Sequence, residues 1–172
     1  MINIDELIKK LLENNEIKEE YRKALLLNMF QKIYVRMERN VNFKRRIRNL
    51  FSESHNVMLT TKIIIGEELK CDITDNDAQK MAMWFEANFK KSQRKKRDVS
   101  IKEQLYKKQH GKCMVCGEDL GNDWSKIHVD HIIPHQLVGD ELDDNYQDLC
   151  ETCNKCKGAR TDFLFKSMLK LV

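Results

Sequence analysis

Cys113-Met114-Val115-Cys116 and Cys150-Glu151-Thr152-Cys153 are two Cys-x-x-Cys pairs separated by 33 residues. Between them lies Val129-Asp130-His131-Ile132-Ile133-Pro134, and Asn154 follows the last cysteine directly. No other feature constrains the fold as tightly. Four thiolates at this spacing make a closed, soft site suited to structural zinc, with Cys113, Cys116, Cys150 and Cys153 as ligands. The stretch between the pairs is long enough for a β-hairpin, and a helix is expected to follow from the second pair. A unit this small buries little apolar area, so zinc binding becomes part of its folding free energy. Asp130, His131 and Asn154 supply a different chemistry. A carboxylate and an amide oxygen form a hard, half-open site that suits Mg²⁺ or a similar ion still carrying water.

Four segments together resemble the HNH endonuclease family, the ββα-metal nucleases. They are Gly111 to Gly117, His128 to Pro134, Asn145 to Cys150, and Cys153-Asn154-Lys155-Cys156-Lys157-Gly158. The order of cysteines, Asp-His pair and asparagines is closest to the four-cysteine branch. The resemblance covers about two-fifths of the chain, from roughly residue 100 onward. It implies an α+β, mostly helical protein: a helical N-terminal domain over 1–98, then a zinc-stabilised ββα-metal nuclease domain over 99–172. It also implies that Asn145 fixes the loop carrying His131, and that Asn154 joins Asp130 on the catalytic metal, Mg²⁺ or Mn²⁺. Many members carry His where this chain has Asn154, a weaker, neutral ligand.

His131 is the candidate general base, because a neutral imidazole can take a proton from an attacking water near neutral pH. Lys157 and Arg160, on the last helix, are candidate phosphate contacts. His128 shares a strand face with Asp130 and reads as a packing or hydrogen-bonding residue. His55, His110 and His135 receive no role, and Trp124 reads as a packing anchor.

The formal charge of +4 is unevenly spread. Residues 1–88 carry a net +1, residues 89–112 a net +8, and residues 113–172 a net −5. The acidic C-terminal unit is therefore preceded by the part that would grip a polyanion. Lys90, Lys91, Arg94, Lys95, Lys96 and Arg97 are the candidate DNA contacts, on a basic helix closing the first domain; displaced counterions would make their affinity fall with salt. A solvated helix face is the other reading of such a run. No apolar run approaches the ~20 residues of a membrane helix, and the start lacks a signal-peptide pattern. The expected compartment is the cytoplasm, with the cysteines as thiolates rather than disulfides. Cys71 reads as a buried thiol, and Cys156 as a spare thiol near the zinc.

Residues 1–98 read as helical. Ile4, Leu7, Ile8, Leu11 and Leu12 form an amphipathic stripe behind Asn3. Further helices are expected from about Ile17 to Met37, from Val41 to Phe51, and from a Thr74 cap onward through Met81, Phe85 and Phe89, continuing into the basic run. Val57 to Ile65 reads equally as strand or helix. Ser100 and Glu103 form a capping box, and Gly111 can end that helix with a positive φ. The first ninety residues are either a scaffold or oligomerisation domain, or a DNA-reading domain using Arg36, Arg39, Lys44, Arg45, Arg46 and Arg48.

The expected activity is metal-dependent DNA hydrolysis, with DNA as partner and a role in restriction or defence. A non-catalytic zinc-stabilised DNA-binding module and a structure-selective or RNA-directed nuclease are the alternatives. A homodimer or a protein partner stays open.

Overall fold

The computed structural model describes Lys9, residues 13–91 and residues 99–160. The Ile4–Leu12 stripe and the cations Arg94, Lys95, Lys96 and Arg97 lie outside the described residues. Among the described residues, four helices form the first half: α1 (Asn15–Arg39), α2 (Val41–Glu53), α3 (Val57–Leu69) and α4 (Asp75–Lys90). After α5 (Val99–Lys108) come strand β1 (Ile127–His131), the short helix α6 (His135–Val138), strand β2 (Tyr146–Cys150) and helix α7 (Glu151–Lys157). The protein is thus mostly helical α+β, with a small sheet near its C-terminus. No helix among the described residues is long and apolar enough to cross a membrane.

Each of the first helices starts on a polar cap. The Asn40 side chain accepts from the Phe43 N–H at 2.9 Å, Asn56 from Leu59 at 3.0 Å, and Thr74 from Asp77 at 3.3 Å. Each bond satisfies one of the amides that a helix start leaves without a carbonyl. In α2, Phe43, Ile47 and Phe51 recur every four residues and turn one face inward. The ambiguous stretch around Ile64 is helical: Ile64 and Ile65 are buried while Ile63 faces out. The helix ends at Lys70 in the left-handed conformation, whose N–H reaches the Gly66 carbonyl. An aromatic cluster closes the bundle, with Phe30 edge-on to Phe85 at 4.9 Å and Phe51 5.1 Å from Phe85.

Three expectations change here. Helix α4 stops at Lys90, and Lys91 leaves it with ψ 115°, so α4 itself does not continue past the first cation of the basic run. The Lys91 ammonium instead donates to the Gln136 carbonyl at 3.0 Å and lies 5.5 Å from the Tyr34 ring centre. Ser100 is already inside α5, which includes Val99, so it is not the N-cap of that helix. Cys71 is exposed, in the turn between α3 and α4, and Cys156 is exposed on α7. Gly111 does end the α5 turn with φ 69°, after His110 at φ 54°. A side chain at Gly111 would also come within 2.9 Å of the Tyr106 hydroxyl.

The two strands pair antiparallel, with Ile127 opposite Cys150 and His131 opposite Tyr146. The connection between them folds back onto the helical bundle. Ile133, Leu137 and Val138 belong to the same buried cluster as Phe30, Met81 and Phe85. Buried Asn88 donates its amide to the Leu137 carbonyl at 2.6 Å. A second, smaller core holds Cys113, Leu120, Ile127, Leu149 and Cys153.

One ion pair ties α1 to α4. Arg22 donates to both carboxylate oxygens of Asp77 at 2.7–3.0 Å, and the Thr74 hydroxyl donates to the same group at 2.7 Å. Burial would push the Asp77 carboxyl up, but these donors outweigh it and hold it below the usual carboxylate range. A depressed folded-state pKa contributes stability that is present above the unfolded value, near pH 4, and is lost as pH falls through the folded value. Urea midpoints measured from pH 6 down to pH 2 are expected to fall less steeply for Asp77→Asn than for the wild type. Equal slopes would remove Asp77 from the acid response.

Candidate functional site

The sulfurs of Cys113, Cys116, Cys150 and Cys153 all lie within 4.8 Å of one another, although they come from two segments far apart in sequence. The β1–β2 ladder and the turn after α5 bring them together. The Met114 N–H donates to the Asp148 carbonyl at 3.2 Å, and Gln109 bonds both the N–H and the carbonyl of Asp148 at 2.8 and 3.0 Å. Cys116 and Cys150 sulfurs are 3.7 Å apart, close to the edge of a tetrahedron with zinc–sulfur bonds of about 2.3 Å. Backbone amides already point at the sulfurs, from Cys150 to Cys113 and from Cys153 to Cys150, both at 3.4 Å. Burial pushes Cys116 up to about 11, and Cys153 up as well with help from its neighbouring thiols. For Cys113 burial is outweighed by backbone donors, chiefly from Cys116 and Cys150, and the thiol falls below its ordinary value. Thiols crowded like this ionise together when a divalent cation balances them, so the donor set fits zinc.

His131 closes β1, and its ring is buried at 2% exposure. Its Nε2 lies 2.7 Å from Oδ1 of Asp140, whose side chain is 3% exposed. The Tyr146 hydroxyl donates to the same oxygen at 3.0 Å. His135 Nε2 is 3.6 Å from Oδ2 of Asp140, and its ring centre is 5.1 Å from that of His131.

Asn145 holds the chain just after His131. Its Oδ1 accepts from the Ile133 N–H at 2.7 Å and its Nδ2 donates to the Ile133 carbonyl at 2.9 Å. The Asn145 carbonyl accepts from Ile132 N–H at 2.9 Å. Three bonds thus pin two residues, and both amide functions of a 4%-exposed side chain are satisfied.

Asp130 points to the other side of the strand and meets Lys157. The Lys157 ammonium is 2.7 Å from Asp130 Oδ2, aligned as an ion pair and not as a hydrogen bond, and donates to the His131 carbonyl at 2.6 Å. Lys157 is 2% exposed. The expected phosphate contact is therefore corrected: this lysine is consumed inside the protein, satisfying a strand-end carbonyl and a carboxylate. Arg160 is exposed beyond α7. Asn154 sits within α7, half-buried, while Cys150 serves as the N-cap, which removes a capping role for Asn154. One carboxylate and one amide are the donor types that a hard divalent cation takes. Lys157 already offsets part of the Asp130 charge.

Asp148 stands apart from this set. It is fully buried on β2, and neither carboxylate oxygen has a hydrogen-bond partner among the described residues. Burial pushes its carboxyl up to about 6, against a small opposing pull from Lys102. A buried polar group without a partner costs about 1–3 kcal/mol. Asp148→Asn is accordingly expected to raise the melting temperature of the zinc-loaded protein, and a lowered melting temperature would show that the charge has a partner in solution.

Several other candidates are placed by their contacts. His128 is half-buried on β1, and Trp124 packs against Tyr106 with ring centres 5.0 Å apart. In the helical bundle Arg36 pairs with Glu68, Arg46 with Glu67, and Lys44 with Glu38 at 2.7 Å. Arg48 lies 5.6 Å from the Phe89 ring centre. Much of that basic surface is thus internally balanced, with Arg39 and Arg45 exposed. Lys90 is exposed at the end of α4.

Asp140, Tyr146 and His135 were missed by sequence reasoning. Asp140 lies among four acidic residues between 140 and 144, and nothing in its local spacing separates it from them. The cross-strand register of His131 with Tyr146 is the signal that brings the hydroxyl to this point.

Residues 113–170, about a third of the chain, match the family model described as HNH endonuclease. No solved structure matches the chain.

Proposed function

We propose that this chain, whose residues 113–170 match the HNH endonuclease family model, is a divalent-metal-dependent endonuclease that hydrolyses DNA phosphodiester bonds. The observation that carries this reading is the setting of His131. It ends a strand beside Asp130, its loop is pinned by Asn145, and its ring is held by a carboxylate. In this reading His131 takes the proton of the attacking water. Asp130 and Asn154 hold Mg²⁺ or Mn²⁺, which when bound withdraws charge from the phosphate and stabilises the leaving 3′ oxygen. Lys157 keeps the Asp130 carboxylate and the His131 backbone in register. The cysteine cluster, loaded with zinc, fixes the end of β2 and the start of α7. Cleavage leaves 5′-phosphate and 3′-hydroxyl ends.

Lys90, Arg94, Lys95, Lys96 and Arg97, with Arg160, supply the electrostatic grip on DNA that the acidic domain lacks. One chain holds one such centre, so cutting both strands requires a dimer or a second engagement. Restriction, or defence against foreign DNA, is the role that suits a nuclease of this kind.

One observation favours a second reading. The ion pair of Lys157 with Asp130 weakens the pull of that carboxylate on a metal, as expected of a zinc-stabilised DNA-binding module without catalysis. A panel of duplex, single-stranded and branched DNA and of RNA, incubated with zinc-loaded protein and Mg²⁺ or Mn²⁺, separates the readings. Metal-dependent cutting of duplex DNA is the expected result. Cutting confined to branched DNA or RNA moves the substrate class, and binding without cutting of any substrate supports the module.

A further inference from the structure

We propose that Asp140 is the positioning residue of His131, with Tyr146 fixing Asp140 for that task; this rests on the nuclease reading above. The carboxylate is almost fully buried, and three side chains among the described residues converge on it. Nε2 of His131 is 2.7 Å from Oδ1, the Tyr146 hydroxyl donates to the same oxygen at 3.0 Å, and His135 Nε2 is 3.6 Å from Oδ2. A buried carboxylate is costly unless donors surround it, so this arrangement is built around its charge.

The chain holds Asp140 from both sides. Gly139, at φ 64°, ends α6 immediately before it, and a side chain at that glycine would come within 3.0 Å of Lys91 Cγ. The loop is thus pressed against the helical bundle just where the carboxylate emerges. On the other side, the β-ladder sets Tyr146 directly opposite His131, so the hydroxyl and the ring reach Asp140 from paired positions.

The chemistry follows from the carboxylate being an acceptor. It takes the Nε2–H of His131 and so selects the tautomer with its lone pair on Nδ1. When the ring takes a proton from water, the neighbouring negative charge stabilises the imidazolium, and no proton passes to Asp140. Asp140 touches neither substrate nor metal in this scheme and acts only through His131.

Asp140→Asn keeps the shape and removes the charge. Its kcat on duplex DNA is expected to fall about 100-fold or more, with KM, zinc content and melting temperature near those of the wild type. Asp140→Glu should restore part of the loss, and Tyr146→Phe should lower kcat less than Asp140→Asn. Nitrogen chemical shifts of the His131 ring give a readout independent of turnover: the Nε2–H tautomer in the wild type, a mixture in Asp140→Asn. If the wild type cuts, His131→Ala does not, and Asp140→Asn keeps wild-type kcat, the positioning role is overturned while the nuclease reading stands. An unchanged His131 tautomer in Asp140→Asn overturns it too. A wild type that cuts nothing with any metal removes the nuclease reading itself, and with it the catalytic use of the pair.

Discussion

His131→Ala is expected to lose strand cleavage by about 10²–10⁴-fold, the range that general-base catalysis contributes, while DNA binding is retained. The imidazole stands at the end of β1, 2.7 Å from the buried Asp140 carboxylate. DNA affinity on this reading comes from lysines and arginines elsewhere in the chain, so removing the ring leaves it in place. Because His131 is buried between Tyr146 and His135, the alanine variant also leaves a cavity, and its melting temperature and zinc content must be measured alongside. His131→Gln fills much of that space without supplying the same base. Both variants should be inactive and should shift supercoiled DNA in a gel as the wild type does. Wild-type cleavage in either purified variant would remove His131 from the chemistry.

Removal of zinc is the second large effect. Among the described residues, the buried members of the C-terminal core are the aliphatic Leu120, Ile127 and Leu149 and the cysteines Cys113 and Cys153. So little apolar surface does not hold a unit of this size together, whereas a structural zinc site in small peptides contributes about 10–16 kcal/mol. A strong chelator, or Cys153→Ser, should therefore unfold the β1–β2–α7 unit. The helical bundle has its own aromatic core and should stay largely folded. It should nevertheless melt earlier, because Ile133, Leu137 and Val138 complete that core from the C-terminal side. Hydrogen exchange read peptide by peptide separates the two regions. Rapid exchange over residues 113–160 with protection kept over 24–90 is the expected pattern, and full protection over 113–160 without zinc would mean that the metal is not structural.

The cysteine clustering was legible because thiolate pairs at this spacing have few other uses, and the structure gathers all four. The segment that matches the HNH endonuclease model was legible for the same reason: its residue types are chemically specific. The helices of the first half could be read from caps and apolar spacing, and Thr74 and Asp77 stand where the sequence put them. Ile63-Ile64-Ile65 could not be assigned locally, because an apolar run fits either period, and only packing against α4 decides for helix. Lys157 was misread as a surface cation because nothing in a sequence shows that a strand-end carbonyl and a carboxylate lie beneath it. Asp140 was illegible for a similar reason: its partners come from across the ladder and from α6, and one acidic residue in a run of four looks like its neighbours. The docking of the 132–145 connection onto the bundle through Asn88 and Leu137 depends on contacts 49 residues apart, beyond any local pattern.

Nicking of supercoiled plasmid by the purified, zinc-loaded protein, with Mg²⁺, with Mn²⁺ and with neither, tests the central claim most directly. Conversion to the open-circular form that requires the added metal is the predicted result. An intact plasmid under every metal condition, from protein that is folded and binds DNA, would contradict it.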